Sequence, residues 1–236
     1  MTALAEIQGH TFYLPALGPS SVVFDLGASS GGFALGVRAL AGCRCFAAEA
    51  SPSVFELLAE AQGVEGHNVA LGGADGPVRM LVGGHEGERF WVRTGVAADE
   101  AAIEVEGVTF ETFKARCGVD TVDLVKLDIE GAEFDFFDAA SDAALRSVGQ
   151  WSVEFHDFLD SALAPKVAAA IGRLEGLGFV TVVMTRHGHG DVLFVNREKL
   201  GLDAWALFCM RWPLKYGRGI RRMLTRGLGL REGKAA

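Results

Sequence analysis

The chain has 236 residues, 50% of them hydrophobic, with 22 Lys/Arg against 30 Asp/Glu, a net charge of −8 and a mean hydropathy of +0.25. That is ample for one large core with elaborations. No apolar run reaches the roughly 18 residues of a membrane span, and no basic residue precedes Arg38 to form the charged start of a secretory signal, so a cytoplasmic protein is expected. Cys43, Cys45, Cys117 and Cys209 have neither disulfide-framework density nor zinc-ligand spacing and are read as reduced and structural.

Short apolar runs alternate with 3.6-periodic segments, the pattern of an α/β protein with a doubly wound, mostly parallel sheet. The first sheet strand is expected over 22–26 and runs into Gly27-Ala28-Ser29-Ser30-Gly31-Gly32, a glycine turn that opens a helix over 31–41. A second strand over 43–48 leads to Glu49, and Ser51-Pro52 starts a helix over 52–62, proline being tolerated at the first helical position. A third strand is expected over 67–71. Residues 76–108 alternate and break at glycines, which predicts small β excursions. A helix over 109–117, a strand over 122–128, a helix over 132–147, a strand over 149–155 and a helix over 163–177, stopped at Gly178, lead to strands over 179–185 and 191–196. The five residues from Arg186 to Gly190 are too few for a helical crossover, so the final strand pairs antiparallel. A parallel sheet closed by such a strand resembles, at the level of fold analogy, the methyltransferase version of the nucleotide-binding sheet.

Two segments carry the chemistry. In the turn, Ser29 stands where a dinucleotide fingerprint has its second glycine, and Asp25 just before Gly27 would repel a pyrophosphate while suiting a cofactor with a positive sulfonium and an amino group. Glu49, 24 positions on, can accept from ribose hydroxyls. The second segment is Val122-Asp123-Leu124-Val125-Lys126-Leu127-Asp128-Ile129-Glu130-Gly131-Ala132-Glu133, an apolar strand ending in three carboxylates. Lys126 and Asp128 are two apart and share a strand face, where an ion pair would orient the acid. Glu130 and Glu133 stand at a helix start, where the dipole favours negative charge. Glu154 and His156, two apart near the end of the fifth sheet strand, are expected to share a face and meet Asp128. That placement makes His156 the candidate general base, with Asp128 or Glu130 in reserve. It also makes Asp128, Glu154 and His156 a candidate divalent-metal set of mixed N/O donors. His187 and His189 flank a glycine and are read as turn residues.

The segments FDLGASSG (24–31), AEAS (48–51), NVAL (68–71), VTFETF (108–113), VDLVKLDIEGAE (122–133), VEFH (153–156) and DVLFV (191–195) occur in this order, and in them the chain resembles the FkbM family of class I S-adenosylmethionine-dependent methyltransferases. The resemblance implies a Rossmann-like sheet, S-adenosylmethionine as methyl donor, and O-methylation of a hydroxyl on a sugar, lipid-linked glycan or polyketide-type metabolite. It places Asp25, with the turn residues Gly27, Ser29 and Gly31, at the methionine end of the cofactor and Glu49 at the ribose. Leu71 and Asp75 then border the adenine, and Asp128 faces the reacting end. Ser29 and Ser30 depart from the family's usual turn. An N- or C-methyltransferase on the same fold, or a silent cofactor-binding module, is the alternative, and neither the acceptor nor the oligomeric state follows from the sequence.

Charge divides the chain at residue 204. Residues 205–236 hold eight Lys/Arg against Glu232 alone, a balance of +7 that leaves −15 on residues 1–204. A methyltransferase domain over 1–204 with a basic amphipathic tail over 205–236 is expected, the tail helical over 217–228 and suited to peripheral contact with an anionic membrane. Its alternative is packing on the acidic body. A nucleic-acid partner is not expected, because the body's field opposes a phosphate backbone.

Overall fold

The computed structural model describes residues 4–59, 61–81, 102–158, 160–185 and 188–211. An N-terminal hairpin, β1 (Leu4–Ile7) and β2 (His10–Tyr13), precedes β3 (Val22–Leu26), α1 (Gly32–Ala41), β4 (Arg44–Ala48), α2 (Pro52–Ala59), β5 (Val64–His67), β6 (Ala70–Leu71), β7 (Gly76–Leu81) and β8 (Ala102–Val108). There follow α3 (Phe110–Arg116), β9 (Val122–Leu127), α4 (Glu133–Ala139), α5 (Asp142–Arg146), β10 (Val148–Val153), α6 (Ala164–Gly176), β11 (Phe179–Val183), β12 (Val192–Asn196) and α7 (Ala204–Cys209).

Seven strands form the central sheet in the order β11-β12-β10-β9-β3-β4-β5. The pairs β9–β10, β3–β9, β3–β4 and β4–β5 are parallel, and β12 runs antiparallel between β10 and β11. The expected antiparallel last strand is present. Strand alternation sorts the two faces. Phe24, Leu26, Phe46, Val125, Leu127, Trp151 and Val153 turn toward α3, α4 and α6 in the larger core. Val23, Cys45 and Leu124 face α1 and the hairpin, packing with Phe12, Phe33 and Val37. Asp25, Lys126 and Ser152 share that second face, since Asp25 pairs with Lys126 and Lys126 with Ser152 in register.

Several boundaries differ from the sequence reading. The third sheet strand is 64–67, because the Asn68 side chain donates to the Glu49 and Ala50 carbonyls at 2.8 and 3.1 Å and turns the chain out of the sheet. Ala70–Leu71 instead joins β8, with β7 on its other side, in a three-stranded sheet; residues 82–101 of the predicted β excursions lie outside the described residues. The helix expected over 132–147 is two helices, broken where Ala140 turns extended and Ser141 caps a new start on the Ala144 N–H. Met210, in the expected tail, is fully buried among Leu4, Val182, Leu193 and Val195. The predicted helix over 217–228 lies outside the described residues. No described helix is long and apolar enough to cross a membrane.

Candidate active site

The carboxyl ends of β3, β4, β9 and β10 meet at one edge, where open α/β sheets bind their ligands. At the β3 end, Gly27 has φ +77°, and a Cβ there would lie 1.8 Å from the Asp128 carbonyl oxygen, so only glycine lets the turn pass under β9. Gly27 and Ala28 donate to the Ala48 carbonyl, each at 2.9 Å, which ties the turn to β4. Ser29 is also left-handed, at φ +51°, and Gly31 is the N-cap of α1 at φ +81°.

Asp25 lies beneath this turn with 0% exposure. Its Oδ2 accepts from the Ala34 N–H at 3.0 Å, filling one of the unpaired donors at the start of α1, and its Oδ1 is 3.4 Å from Lys126 Nζ. Lys126 Nζ donates to the Gly27 carbonyl at 2.5 Å and lies 3.6 Å from Asp128 Oδ2. Burial works against its charge, but Asp25 and Asp128 outweigh it and raise the lysine pKa above its ordinary value. The expected Lys126–Asp128 pair is therefore present, with Asp25 as a third member. Asp25, expected at the cofactor, thus has no exposed surface of its own and braces the turn from beneath.

Glu49 accepts from Ser29 N and Ser51 N, each at 2.8 Å. Burial pushes its carboxyl up against the pull of those N–H groups. Leu71 lines a cavity of about 500 Å³ with Ala70, Gly72, Gly73, Ala132 and Asp135. Asp75 is not among the residues that line it. Its two oxygens are engaged by Thr109 N at 2.7 Å and Thr112 Oγ1 at 2.8 Å, so it fastens the loop to the start of α3, and the Thr109 N–H holds its carboxyl below the usual range.

At the β9–β10 end the charged groups face one another. His156 is 2% exposed; its Nδ1 is 3.1 Å from Glu133 Oε1, and its Nε2 is 3.2 Å from Glu130 Oε2 and 3.7 Å from Asp128 Oδ1. Glu133, wholly buried, also accepts from Ile129 N at 3.1 Å and Gly131 N at 3.2 Å, which fixes it behind the histidine. Burial disfavours the imidazolium, but Glu130 and Glu133 overcome it and raise the pKa of His156 to about 10. Those two carboxylates favour the imidazolium, which counts against the expectation of His156 as a base at neutral pH. Burial likewise opposes the Asp128 carboxylate, and His10, Lys126 and His156 more than compensate, placing its pKa far below the usual carboxylate range.

The expected face shared by Glu154 and His156 does not form. β10 ends at Val153, and His156 opens a 3-10 turn, so the period of two stops between them. Glu154 turns instead to His10, 4.0 Å from its Nε2, while Asp128 Oδ2 is 3.6 Å from the same nitrogen. Two donor groups result, His10–Asp128–Glu154 and Asp128–Glu130–His156, in place of the expected Asp128–Glu154–His156. His10 went unread in the sequence. Its hairpin is pinned by Thr11, whose N and Oγ1 donate to Asp191 at 3.0 and 2.6 Å, and the Ile7-Gln8-Gly9-His10 turn was the available signal. His189 serves its turn as expected, its Nδ1 2.7 Å from Asp157 Oδ2, and His187 lies outside the described residues.

Sheet order, glycine turn, Glu49 at the tip of β4 and the acid at the tip of β9 together define a class I S-adenosylmethionine-dependent methyltransferase. The FkbM methyltransferase domain matches residues 25–181, and the chain belongs to that family. No curated protein matches it in sequence. Among solved structures it is similar to a precorrin-6y methyltransferase from Geobacter metallireducens, at 16% identity over 77% of this chain and 82% of that one with a TM-score of 0.39. It is also similar to a fibrillarin/Nop5p complex, at 15% identity over 75% and 72% with a TM-score of 0.43.

Proposed function

We propose that the chain methylates a hydroxyl oxygen of a sugar, a lipid-linked glycan or a polyketide-type metabolite. The observation that carries this reading is the tip of β9, where the Asp128 and Glu130 side chains are 21% and 22% exposed while the imidazole between them is buried. Two partly open carboxylates are acceptors suited to a hydroxyl donor. The residues around the turn fit the donor: Ser29 and Ser30 are exposed beside it, Glu49 keeps lone pairs for a ribose, and the apolar wall at Leu71 suits an adenine. When bound, S-adenosylmethionine supplies a methyl carbon activated by a sulfonium. Asp25 and Lys126 hold the turn's shape. Asp128 orients the acceptor, and such alignment supplies much of the rate gain in a displacement of this kind. Glu130, the second partly open carboxylate, accepts from the acceptor hydroxyl, and His156, 3.2 Å away, positions it.

The test is incubation with S-adenosylmethionine and panels of hydroxyl and amine acceptors, reading S-adenosylhomocysteine formation and the mass gain of one methyl group. Oxygen-methylated product supports the reading. Methylated amines alone would move it to N-methylation, and cofactor binding without turnover on any acceptor would favour the silent module.

A further inference from the structure

We propose that Asp128, Glu130 and His156 ligate a first-row divalent cation of the Mn2+ class, with Glu133 as the carboxylate that orients the histidine. The donor atoms Asp128 Oδ1, Glu130 Oε2 and His156 Nε2 stand 3.2–3.7 Å apart across the imidazole and all within 4.8 Å of one another. Ligands at roughly 2.0–2.2 Å from a common ion are separated by such distances. Asp128 Oδ1 and Glu130 Oε2 are buried atoms that accept no hydrogen bond among the described residues, although each faces the histidine.

The second observation lies behind the imidazole. A metal-bound histidine characteristically gives its other ring nitrogen to a carboxylate, which fixes tautomer and ring orientation. Glu133, 0% exposed and held by two backbone N–H groups, does this to Nδ1 and leaves Nε2 aimed at the two carboxylates, where a cation would displace its proton to solvent. Glu130 reaches its place through a left-handed backbone at φ +53°. The neighbouring set built on His10 lacks this support, since His10 Nδ1 has no hydrogen-bond partner among the described residues. The imidazole favours a first-row ion over Ca2+ or Mg2+, and the two carboxylates suit Mn2+ among that row. Binding stands on the donor set alone. The cation's use, drawing an acceptor hydroxyl onto itself and making it more acidic, rests on the O-methyltransferase reading.

The experiment is calorimetric titration of the chelator-treated full chain with Mn2+, without cofactor or acceptor. The expected result is one ion per chain, bound at least tenfold more weakly by Glu130→Gln. Glu133→Gln is expected to lose about 10- to 100-fold, and the exposed Glu56→Gln control to match the native chain. If Glu133→Gln fails to fold, Glu130→Gln, altered at a partly open side chain, decides. No binding at millimolar Mn2+, or equal binding by Glu130→Gln and the native chain, overturns the site; so does a loss on His10→Ala with none on Glu130→Gln. S-adenosylmethionine affinity of the same samples is read separately, so that failure of the cation site and failure of the methyltransferase reading are distinguishable.

Discussion

The two ends of the site use the same residue types for opposite purposes. At the tips of β3 and β4, Asp25 and Glu49 bond backbone N–H groups, on Ala34, Ser29 and Ser51, and what they build is the shape of a turn. At the tips of β9 and β10, Asp128 and Glu130 face the Lys126 and His156 side chains, and what they build is a field. A carboxylate engaged by the backbone is a structural part that happens to be ionic. One facing an imidazole over open space remains available to a ligand. Lys126 touches both ends, through the Gly27 carbonyl and Asp25 on one side and Asp128 on the other.

Removing that link is the hardest test of the comparison. Lys126→Met leaves the wholly buried Asp25 without its counter-charge, and breaking a buried pair from one side costs about 3–5 kcal/mol. Urea denaturation measures the loss, and the double variant Lys126→Met/Asp25→Asn is expected to regain part of it. If the double variant is no more stable than Lys126→Met alone, the two ends are not coupled through this pair.

Gly27→Ala attacks the shape end alone. The left-handed backbone costs an alanine roughly 1–2 kcal/mol, and forcing its methyl against the Asp128 carbonyl adds roughly 1–3, for a total of about 2–5 kcal/mol in the denaturation midpoint. S-adenosylmethionine binding is expected to be lost in the fraction that folds. Full binding in a stable Gly27→Ala protein would show that the turn's path is not what holds the cofactor.

The field end answers to pH. His156 has its folded pKa raised to about 10 from an ordinary value near 6.5. Its contribution to stability is therefore fully present below about pH 6.5 and is lost as pH rises through about 10. In chelator-treated protein the expected fall is a few kcal/mol at about 1.4 kcal/mol per unit, and His156→Gln should flatten it. A native profile as flat as the variant's would mean that the two glutamates do not hold the imidazolium.

The sequence shows the shape end more clearly than the field end, for a physical reason. Glycine at Gly27, a carboxylate two residues earlier and another at the tip of β4 are local requirements of a strand, turn and helix, so position alone reveals them. The Lys126–Asp128 pair is likewise legible because Asp128 directly follows the strand that carries Lys126. Glu154 and His156 were read as sharing a face because nothing in their spacing marks where β10 ends. His10 enters from a hairpin of two four-residue strands, 118 positions from Asp128, and no periodic signal announces such a short pairing. The Asp75 contacts are hidden for the same reason: its partners Thr109 and Thr112 come from beyond β8.

The smallest expected effect falls on Glu49, and it separates shape from field within one residue. Glu49→Gln keeps the side chain's size and one acceptor oxygen but replaces the other with a donor, so either the Ser29 or the Ser51 N–H loses its partner. A hydrogen bond of this kind is worth about 1 kcal/mol, and the melting curve should shift only slightly. If Glu49 acts only as a brace, Glu49→Gln and a Ser51→Pro chain, which lacks that N–H altogether, should weaken S-adenosylmethionine by similar small factors. If it also holds the ribose, Glu49→Gln should weaken binding by about five- to tenfold while Ser51→Pro changes it less, since the carboxylate then keeps Ser29 and the ligand. Calorimetric titration of both variants decides, and equal affinities would leave Glu49 on the side of shape.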